Sequence, residues 1–289
     1  MTARIPEDYR RAREVRKLLA DVYGAAPEDA VFLAPGTLIG LRGILGSLRI
    51  GRLALSAGEY FDRSCFPTSR VELVKVEALL AHVVQTRPDA VLLSVVTWKG
   101  ARLPLEALFA DIRMRLGSAA PLLVADFSHA GAAGFPKVTE TGADIVMGDA
   151  TKWITPPESP DRLGYVWFRT EGHRSLAGQV FAPFYLAGVK PRAELEARWV
   201  DPEAVRRIAE FCASSKVTRT RLVARHKADL ALAERVAERC GAAHPTSPLV
   251  WLSSAAALKN VPKWLQHESL LWRAPGGGVR VTCRSDLAP

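Results

Sequence analysis

The chain has 289 residues, of which 48% are hydrophobic and 24% are charged, a composition typical of globular proteins that bury a core. It carries 39 Lys and Arg residues against 30 Asp and Glu, a formal net charge of +9. The basic residues are scattered among acidic ones and form no run, no RNA-binding aromatic signature and no zinc finger. We therefore expect no nucleic-acid partner, and we attribute the charge to a surface that favours anionic small molecules.

The sequence also argues against a membrane, a secretory or a metal-stabilised protein. The apolar run at 90–96 is far shorter than the roughly 20 residues that span a bilayer. Met1–Arg16 mixes Arg with acids and lacks the apolar core of a secretory signal, so we expect a cytoplasmic protein. The cysteines are far apart and form no paired-ligand spacing, so neither a metal site nor a disulfide framework is expected. They are Cys65, Cys212, Cys240 and Cys283.

The predicted elements begin with a helix over Arg10–Tyr23, whose apolar residues recur at helical spacing before Gly24. A short strand at Ala30–Leu33 then runs through the turn Pro35-Gly36 into a second helical pattern. Further short apolar runs lack strict alternation, which is typical of parallel strands covered on both faces. They lie at 53–56, 90–96, 121–125, 145–147 and 165–168, with helical stretches at 71–85 and 105–116 between them. This alternation predicts an α/β fold with a mostly parallel sheet flanked by helices.

The character of the sequence changes after Phe184, where Pro and Gly punctuate a turn region. Residues 194–238 then read as mostly helical and charged, and strand-like segments follow at 249–252 and 279–282. A basic, helix-like segment and Gly276-Gly277-Gly278 separate those two strands. We therefore predict a large domain at 1–187 and a smaller C-terminal domain at 188–289.

Three segments carry groups that could serve chemistry. Pro35-Gly36-Thr37 opens a helix, where free N–H groups favour a phosphate, although such turns are also common helix caps. Asp126 ends a buried strand, with His129 three residues later, and Lys152 follows the next strand. An acid there could be a helix cap, and a lysine there could simply extend to the surface. Ligands nevertheless gather at the carboxyl ends of strands in α/β sheets.

An acid and a lysine at successive strand ends are the two groups that catalysis with pyridoxal 5'-phosphate (PLP) requires. A partly desolvated lysine beside a cationic ring has a lowered pKa and can form an imine with the cofactor aldehyde. A carboxylate at the ring nitrogen keeps that nitrogen protonated, so that the ring can accept electrons from the substrate Cα. Asp126 and Lys152 fit these two tasks.

With these segments in this order, the sequence resembles the fold-type-I PLP enzymes of the class V aminotransferase superfamily. Residues 32–37 look like their phosphate-binding turn, 56–60 like the segment with the ring-stacking aromatic residue, and 94–105 like their strand, Gly turn and Pro-Leu pattern. Residues 126–131 look like a DxxHAG form of the pyridine-nitrogen motif, 149–153 like the Schiff-base motif, and 279–282 like the strand whose Arg binds the substrate carboxylate.

The resemblance implies a three-layer PLP-dependent transferase-like fold with a short α+β small domain, PLP as cofactor and a homodimer whose active sites lie at the interface. It implies a role for each matching residue. These are Lys152 for the Schiff base, Asp126 for the pyridine nitrogen, His129 beside the ring, Gly36 and Thr37 for the phosphate, Tyr60 for stacking, Thr97 for the ring hydroxyl, Thr151 for cofactor binding and Arg280 for the substrate carboxylate. Asp149 stands where many relatives have a Ser that touches the phosphate, and an acid there would repel it unless it faces away.

The DxxHA form reduces the number of candidate reactions, because it looks like that of kynureninases, isopenicillin N epimerases and some C–S lyases. A desulfurase would need a nucleophilic Cys shortly before Arg280, and 249–280 contains none; Cys283 fits a packed residue better. The leading hypothesis is an enzyme that forms an external aldimine with an amino acid. Lys152 would then act as base at Cα, and epimerisation or β- or γ-elimination would follow. An aminotransferase is the alternative, and a non-catalytic binding protein on this scaffold is the alternative from another class.

Overall fold

The computed structural model describes residues 7–27, 30–38, 40–41, 45, 48, 50–57, 66, 70–169, 200–274 and 277–288. Its described helices are α1 (Glu7–Tyr23), α2 (Val76–Thr86), α3 (Leu105–Leu116), α4 (Pro202–Ser214) and α5 (Arg219–Cys240). The strands are β1 (Ala30–Ala34), β2 (Arg52–Ser56), β3 (Arg70–Val74), β4 (Ala90–Ser94), β5 (Leu122–Asp126), β6 (Ile145–Asp149), β7 (Gly164–Phe168), β8 (Leu249–Leu252), β9 (Leu271–Arg273) and β10 (Val279–Thr282). No helix in these ranges is long and apolar enough to cross a membrane.

Seven strands form one sheet in the order β1-β7-β6-β5-β4-β2-β3. The pairs from β6 through β5, β4 and β2 to β3 are all parallel, as the sequence predicts. Strand β7 is the exception, because it runs antiparallel to both β6 and β1. A fully buried apolar run packs equally well in either direction, so the sequence pattern alone did not show this reversal.

Both faces of the sheet are covered. Leu93, Ala125 and Val146 belong to a core shared with helices α1 to α5. The residues that alternate with them, such as Leu92 and Val124, belong to a second core on the opposite face. Alternate side chains of a strand point to opposite faces, so the central strands are buried on two sides and read as continuous apolar runs.

The helix predicted over 71–85 is wrong in its first part. Residues 70–74 form β3, the edge strand of the sheet, and the helix α2 begins at Val76. The strand is only partly buried, and Leu73 is 44% exposed. An edge strand this short and this open carries too few buried residues to distinguish it from the helix that follows.

The C-terminal part contains α4, α5 and a three-stranded antiparallel sheet in the order β8-β10-β9. A third apolar core joins α5 to one face of that sheet through residues such as Ala233, Val250 and Val281. Strand β9 lies in the segment that we expected to be helical, which otherwise forms short 3-10 turns. The predicted boundary between residues 187 and 188 lies outside the described residues, so the division into two domains stays a prediction.

A close contact between two glycines shapes the edge of the large sheet. Gly164 begins β7 opposite Ala34, and a Cβ at Gly164 would lie 2.7 Å from the carbonyl carbon of Gly36. Gly36 itself has a φ of 144°, a conformation that favours glycine. The backbone after β1 can therefore press directly on β7, and this fixes the turn that opens the helical segment at Thr37.

Candidate active site

Asp126 ends β5 and is 2% exposed. Its carboxylate accepts hydrogen bonds from the Ser128 backbone N–H at 2.8 Å and the Ser128 hydroxyl at 2.6 Å. The Ser94 hydroxyl donates at 3.1 Å, because parallel register places Ser94 directly beside Asp126. Burial raises the pKa of Asp126 against the opposing effect of these donors and of the nearby Lys152 charge. The carboxylate thus has only neutral hydrogen-bond donors among these contacts.

Thr37 is linked to Asp126 through Ser128. The Ser128 hydroxyl oxygen lies 3.1 Å from the Thr37 hydroxyl oxygen as well as 2.6 Å from the carboxylate. A serine hydroxyl has one proton and an ionised carboxylate only accepts, so the Thr37 hydroxyl must donate to Ser128 in return. The helical turn at Thr37 and the end of β5 are therefore held together, and the Gly40 N–H donates to the Gly36 carbonyl at 3.1 Å.

Asp149 faces its own turn. One carboxylate oxygen accepts from the Thr151 N–H at 2.9 Å, the Thr151 hydroxyl at 2.8 Å and the Lys152 N–H at 3.0 Å. The Asp149 carboxylate therefore caps the turn that carries Lys152. It faces its own backbone, as it must if a phosphate is to bind nearby. Thr151 is fully buried and uses its hydroxyl proton for Asp149, so in this conformation that hydroxyl does not donate elsewhere.

Lys152 follows this turn after β6 and points at His129, with 3.1 Å between its Nζ and the His129 Nε2. Burial, followed by the positive charge of Arg280, lowers the pKa of Lys152 to about 8; the negative charges of Asp149 and Asp126 act in the opposite direction. An amine with this pKa is neutral in a substantial fraction of molecules near physiological pH. It can therefore act as a nucleophile or as a base.

His129 is a neutral acceptor between two cations. Both the Lys152 amine and the Arg280 guanidinium, at 3.3 Å, approach the same Nε2 atom. Because both groups are donors, that nitrogen must be unprotonated and the ring proton must lie on Nδ1. Burial, then Lys152 and Arg280, lowers the pKa of His129 well below its usual value. Its Nδ1 is buried and has no hydrogen-bond partner.

Arg280 lies in the middle strand of the small sheet and is 5% exposed. Besides the contact with His129, its guanidinium donates to the Trp98 carbonyl at 3.1 Å and lies 5.6 Å from the centre of the Trp272 ring. The structure therefore brings together Lys152, His129 and Arg280, which are up to 151 residues apart in the chain. These contacts join the small sheet to the carboxyl edge of the large sheet.

Of the predicted residues that the structure describes, Thr97 makes its hydrogen bonds outside this cluster. The Thr97 hydroxyl accepts the Ala101 N–H at 3.1 Å, and the Thr97 N–H donates to the Ala101 carbonyl at 2.8 Å, so these hydrogen bonds close its own turn. Its neighbour Trp98 makes the backbone contact with Arg280. Tyr60, the residue expected to stack on the cofactor ring, lies outside the described residues.

Two arginines that were not predicted from the sequence donate hydrogen bonds to the backbone of the segment that begins at Lys152. Arg284 is 2% exposed and donates to the carbonyls of Lys152 at 3.3 Å and Thr155 at 3.4 Å. Arg225 of α5 donates to the carbonyl of Trp153. The backbone of the Lys152 turn is thus held from α5 and from the segment after β10.

Acidic residues hold these two arginines. Asp286 accepts from Arg284 at 2.7 Å and pairs with Arg225 at 3.3 Å, and Asp229 accepts from the Ser285 N–H at 2.7 Å and hydroxyl at 2.6 Å. The sequence did carry a weak signal: Arg284 follows Arg280 by four residues, which in an extended strand places both on one face. Cys283 between them is fully buried, and burial raises its pKa to about 12, as expected for a packed thiol.

No family model matches this sequence, and no curated protein matches it. Solved structures do. Alanine–glyoxylate aminotransferase from Nostoc sp. has a TM-score of 0.69 at 16% identity, over 98% of this chain and 84% of that chain. The cystine C–S lyase C-DES, solved with cysteine persulfide, has a TM-score of 0.67 at 14% identity, over 98% and 84%.

Histidinol-phosphate aminotransferase from Sinorhizobium meliloti, solved in complex with pyridoxal-5'-phosphate, has a TM-score of 0.60 at 17% identity, over 96% of this chain and 78% of that chain. Likeness at such low identity establishes the fold. The fold-type-I architecture predicted from the sequence, with its mainly parallel sheet flanked by helices, is therefore confirmed.

The lowered pKa of Lys152 can be measured on the cofactor-free chain. We expect amine-specific acylation, followed residue by residue by mass spectrometry, to show a midpoint near pH 8 at Lys152. A lysine in a short model peptide, which titrates near pH 10.4, serves as the comparison. Arg280→Gln removes a neighbouring cation and should move the Lys152 midpoint upward. A wild-type Lys152 midpoint equal to that of the model peptide would contradict the described environment.

Proposed function

We propose that this chain is a PLP-dependent enzyme that acts on an α-amino acid, with Lys152 as the residue that holds the cofactor covalently. The observation that carries this proposal is the placement of a lysine with a pKa of about 8 and a buried carboxylate, Asp126, at the ends of neighbouring strands. The fold is shared with aminotransferases and a C–S lyase. Fold alone does not determine function, so the chemistry of these two residues is the main argument.

The site of Asp126 fits the nitrogen end of the cofactor. Its described hydrogen bonds come from serines and a backbone N–H, all of them neutral, and its pKa is raised by burial. A protonated ring nitrogen would supply the cationic partner that such a buried carboxylate favours. The unpartnered His129 Nδ1 is a second buried polar atom in this region that a ligand or a water could satisfy.

The phosphate end fits the turn at Gly36 and Thr37. A helical turn begins at Thr37, and its first N–H groups have no partners within the helix. Asp149 is turned toward Thr151 and Lys152, so its charge is directed at donors of its own turn. We assign phosphate binding to Gly36 and Thr37 and a structural contact near the cofactor to Thr151.

When bound, PLP supplies an aldehyde that condenses with amines and a cationic ring that accepts electrons released at a substrate Cα. Asp126 keeps a negative charge beside that ring nitrogen. Arg280 binds the substrate carboxylate, a task suited to its planar fork of donors. Lys152, with its lowered pKa, takes and returns the proton at Cα. His129 stays neutral and orients the amine of Lys152 through Nε2.

The fate of that proton defines the reaction. We propose epimerisation or β- or γ-elimination as the leading reaction, because residues 126–130 resemble the DxxHA form of kynureninases, isopenicillin N epimerases and some C–S lyases. Lys152 supplies the base at Cα for this route and for transamination alike. Transamination is the second candidate, and it is favoured by the aminotransferases among the similar structures. The intact pair of Asp126 and Lys152 argues against a purely binding role.

The visible absorption of the PLP-loaded protein and the mass of its reduced cofactor adduct test the proposal. Protein supplied with PLP should be yellow, and borohydride should abolish the visible band and fix one cofactor to Lys152. Lys152→Ala should lose the covalent adduct, whereas Lys137→Ala, a change at an exposed lysine, should keep it. Peptide mapping that places the adduct on another lysine would overturn the assignment of Lys152.

Asp126→Asn tests the electron-accepting role, because it preserves size and removes the charge. The variant should stay yellow, and turnover of an amino-acid substrate should fall by a factor on the order of 10² or more, as expected for the loss of a few kcal/mol of transition-state stabilisation. Asp89→Asn is the matched control: that carboxylate also accepts backbone N–H groups but precedes β4 at the opposite end of the sheet. Wild-type turnover in Asp126→Asn would show that Asp126 is only a structural cap.

We also propose that the chain works as a homodimer, because the enzymes that it resembles build each active site from two chains. Light scattering of the PLP-loaded protein should give twice the chain mass of 31.5 kDa. Activity per chain should fall on dilution in step with dissociation, since a lone chain would have an incomplete site. A fully active monomer at all concentrations would refute this assembly.

A further inference from the structure

Three tryptophans meet beside Arg280, and the proposed reaction gives none of them a role. In the small sheet, Arg280 of β10 is paired directly with Trp251 of β8 on one side and with Trp272 of β9 on the other. Residues directly opposite each other in antiparallel strands point to the same face. One face of the sheet therefore presents an indole, a guanidinium and a second indole in a row.

The third indole comes from the large sheet. Trp98 follows β4, and its ring centre lies 4.9 Å from that of Trp251 and 5.3 Å from that of Trp272. The planes meet at 83° and 68°, the edge-to-face arrangement that aromatic rings prefer. We call Trp98, Trp251 and Trp272 the tryptophan cluster.

The position of Trp251 depends on a glycine. A Cβ at Gly278 would lie 2.2 Å from a ring atom of Trp251, so this indole lies directly on the backbone of Gly278. Any side chain at that position would lift the ring away from its place beside Arg280. The cluster is thus built with defined ring positions, which is what a binding surface requires.

The tryptophan cluster differs from the core tryptophans in exposure. Trp153 and Trp167 are each 1% exposed, whereas all three indoles of the cluster are only half-buried. Large apolar surface left open next to a binding residue is typical of a ligand contact. Here the open indoles adjoin Arg280, which in turn contacts His129.

Charge around the cluster is positive. The Lys99 Nζ lies 5.0 Å from the centre of the Trp98 ring and 5.5 Å from that of Trp251, and the Arg280 guanidinium lies over Trp272. Lys99 is exposed, and within the described part of the chain its ammonium pairs with no carboxylate. A ligand group that enters the cluster therefore meets indoles and cations, so a cationic side chain is disfavoured there.

We infer that the tryptophan cluster is the subsite for the substrate side chain and that it selects α-amino acids with an uncharged or anionic aromatic side chain. This inference rests on the proposed function, in which Arg280 binds the substrate carboxylate. The side chain of an amino acid starts one carbon from that carboxylate, so a substrate held by Arg280 carries its ring into the surroundings of Trp98 and Trp272. Edge-to-face contacts with indoles then favour a flat ring over a small aliphatic group.

The test uses PLP-loaded protein and the change in its visible band on titration with L-phenylalanine, L-alanine and L-lysine. Phenylalanine should bind at least about tenfold more tightly than alanine, a difference of about 1.4 kcal/mol, and lysine should bind most weakly. In Trp98→Leu and Trp272→Leu, the ratio of the alanine and phenylalanine dissociation constants should fall toward one. Trp98→Phe should retain much of the preference, because it keeps a ring.

Trp264→Leu is the matched control, since this tryptophan packs on the third core and belongs to no part of the cluster. It should keep the preference of the wild type for phenylalanine. Equal affinities for alanine and phenylalanine in the wild type, or a preference that survives both Leu variants of the cluster, would overturn the inference alone. If no amino acid changed the visible band, the proposed function would fail, and the inference with it.

Discussion

The parallel pairing of β4, β5 and β6 determines where Asp126 and Lys152, the carboxylate and the amine of the candidate site, lie. The carboxyl ends of these strands meet at one edge, so Ser94 stands beside Asp126, and the turn after Asp149 delivers Lys152 to the same edge. This arrangement buries the Asp126 carboxylate and partly desolvates the Lys152 amine. Burying such groups is unfavourable unless each finds partners, and the partners come from Ser128, His129 and the small sheet. The turns after β5 and β6 and the small sheet therefore supply the hydrogen-bond partners that the groups at this edge require.

How much of this the sequence could predict depends on the range of each interaction. The mainly parallel sheet and the positions of Asp126 and Lys152 follow from local patterns, because a buried strand and the polar residue that ends it are adjacent in the chain. The reversed direction of β7 does not, since the direction of a strand is set by partners far away in sequence. The edge strand β3 does not either, because it is short and only partly buried. Arg280 and His129 are 151 residues apart. The resemblance implied a role for each of them at one site, but their direct contact was not predicted.

The orientation of Asp149 toward its own turn shows a second limit on what the sequence can predict, namely the direction in which a side chain points. From the sequence alone, an acid in a phosphate-binding motif is ambiguous, because its effect depends on which way the carboxylate points. The three donors of Thr151 and Lys152 determine this, and they are local hydrogen bonds of a kind common after Asp. Such a side chain can bind either its own backbone or a ligand. Its role can be assigned only when the structure of the turn is known. In contrast, Arg284 could have been noticed from its spacing to Arg280.

Arg280 and Arg284 lie four residues apart, and together they touch both ends of the lysine: Arg280 shares His129 with the Lys152 amine, and Arg284 holds the Lys152 carbonyl. Val281 and Cys283, which alternate with them, are fixed in the third core. The four-residue spacing of the two arginines is therefore fixed by the contacts that both must make. One inserted or deleted residue would turn one arginine into the core and the other away from its carbonyl. Most surface loops of such a fold can change length during evolution, but this stretch is constrained in length as tightly as in composition.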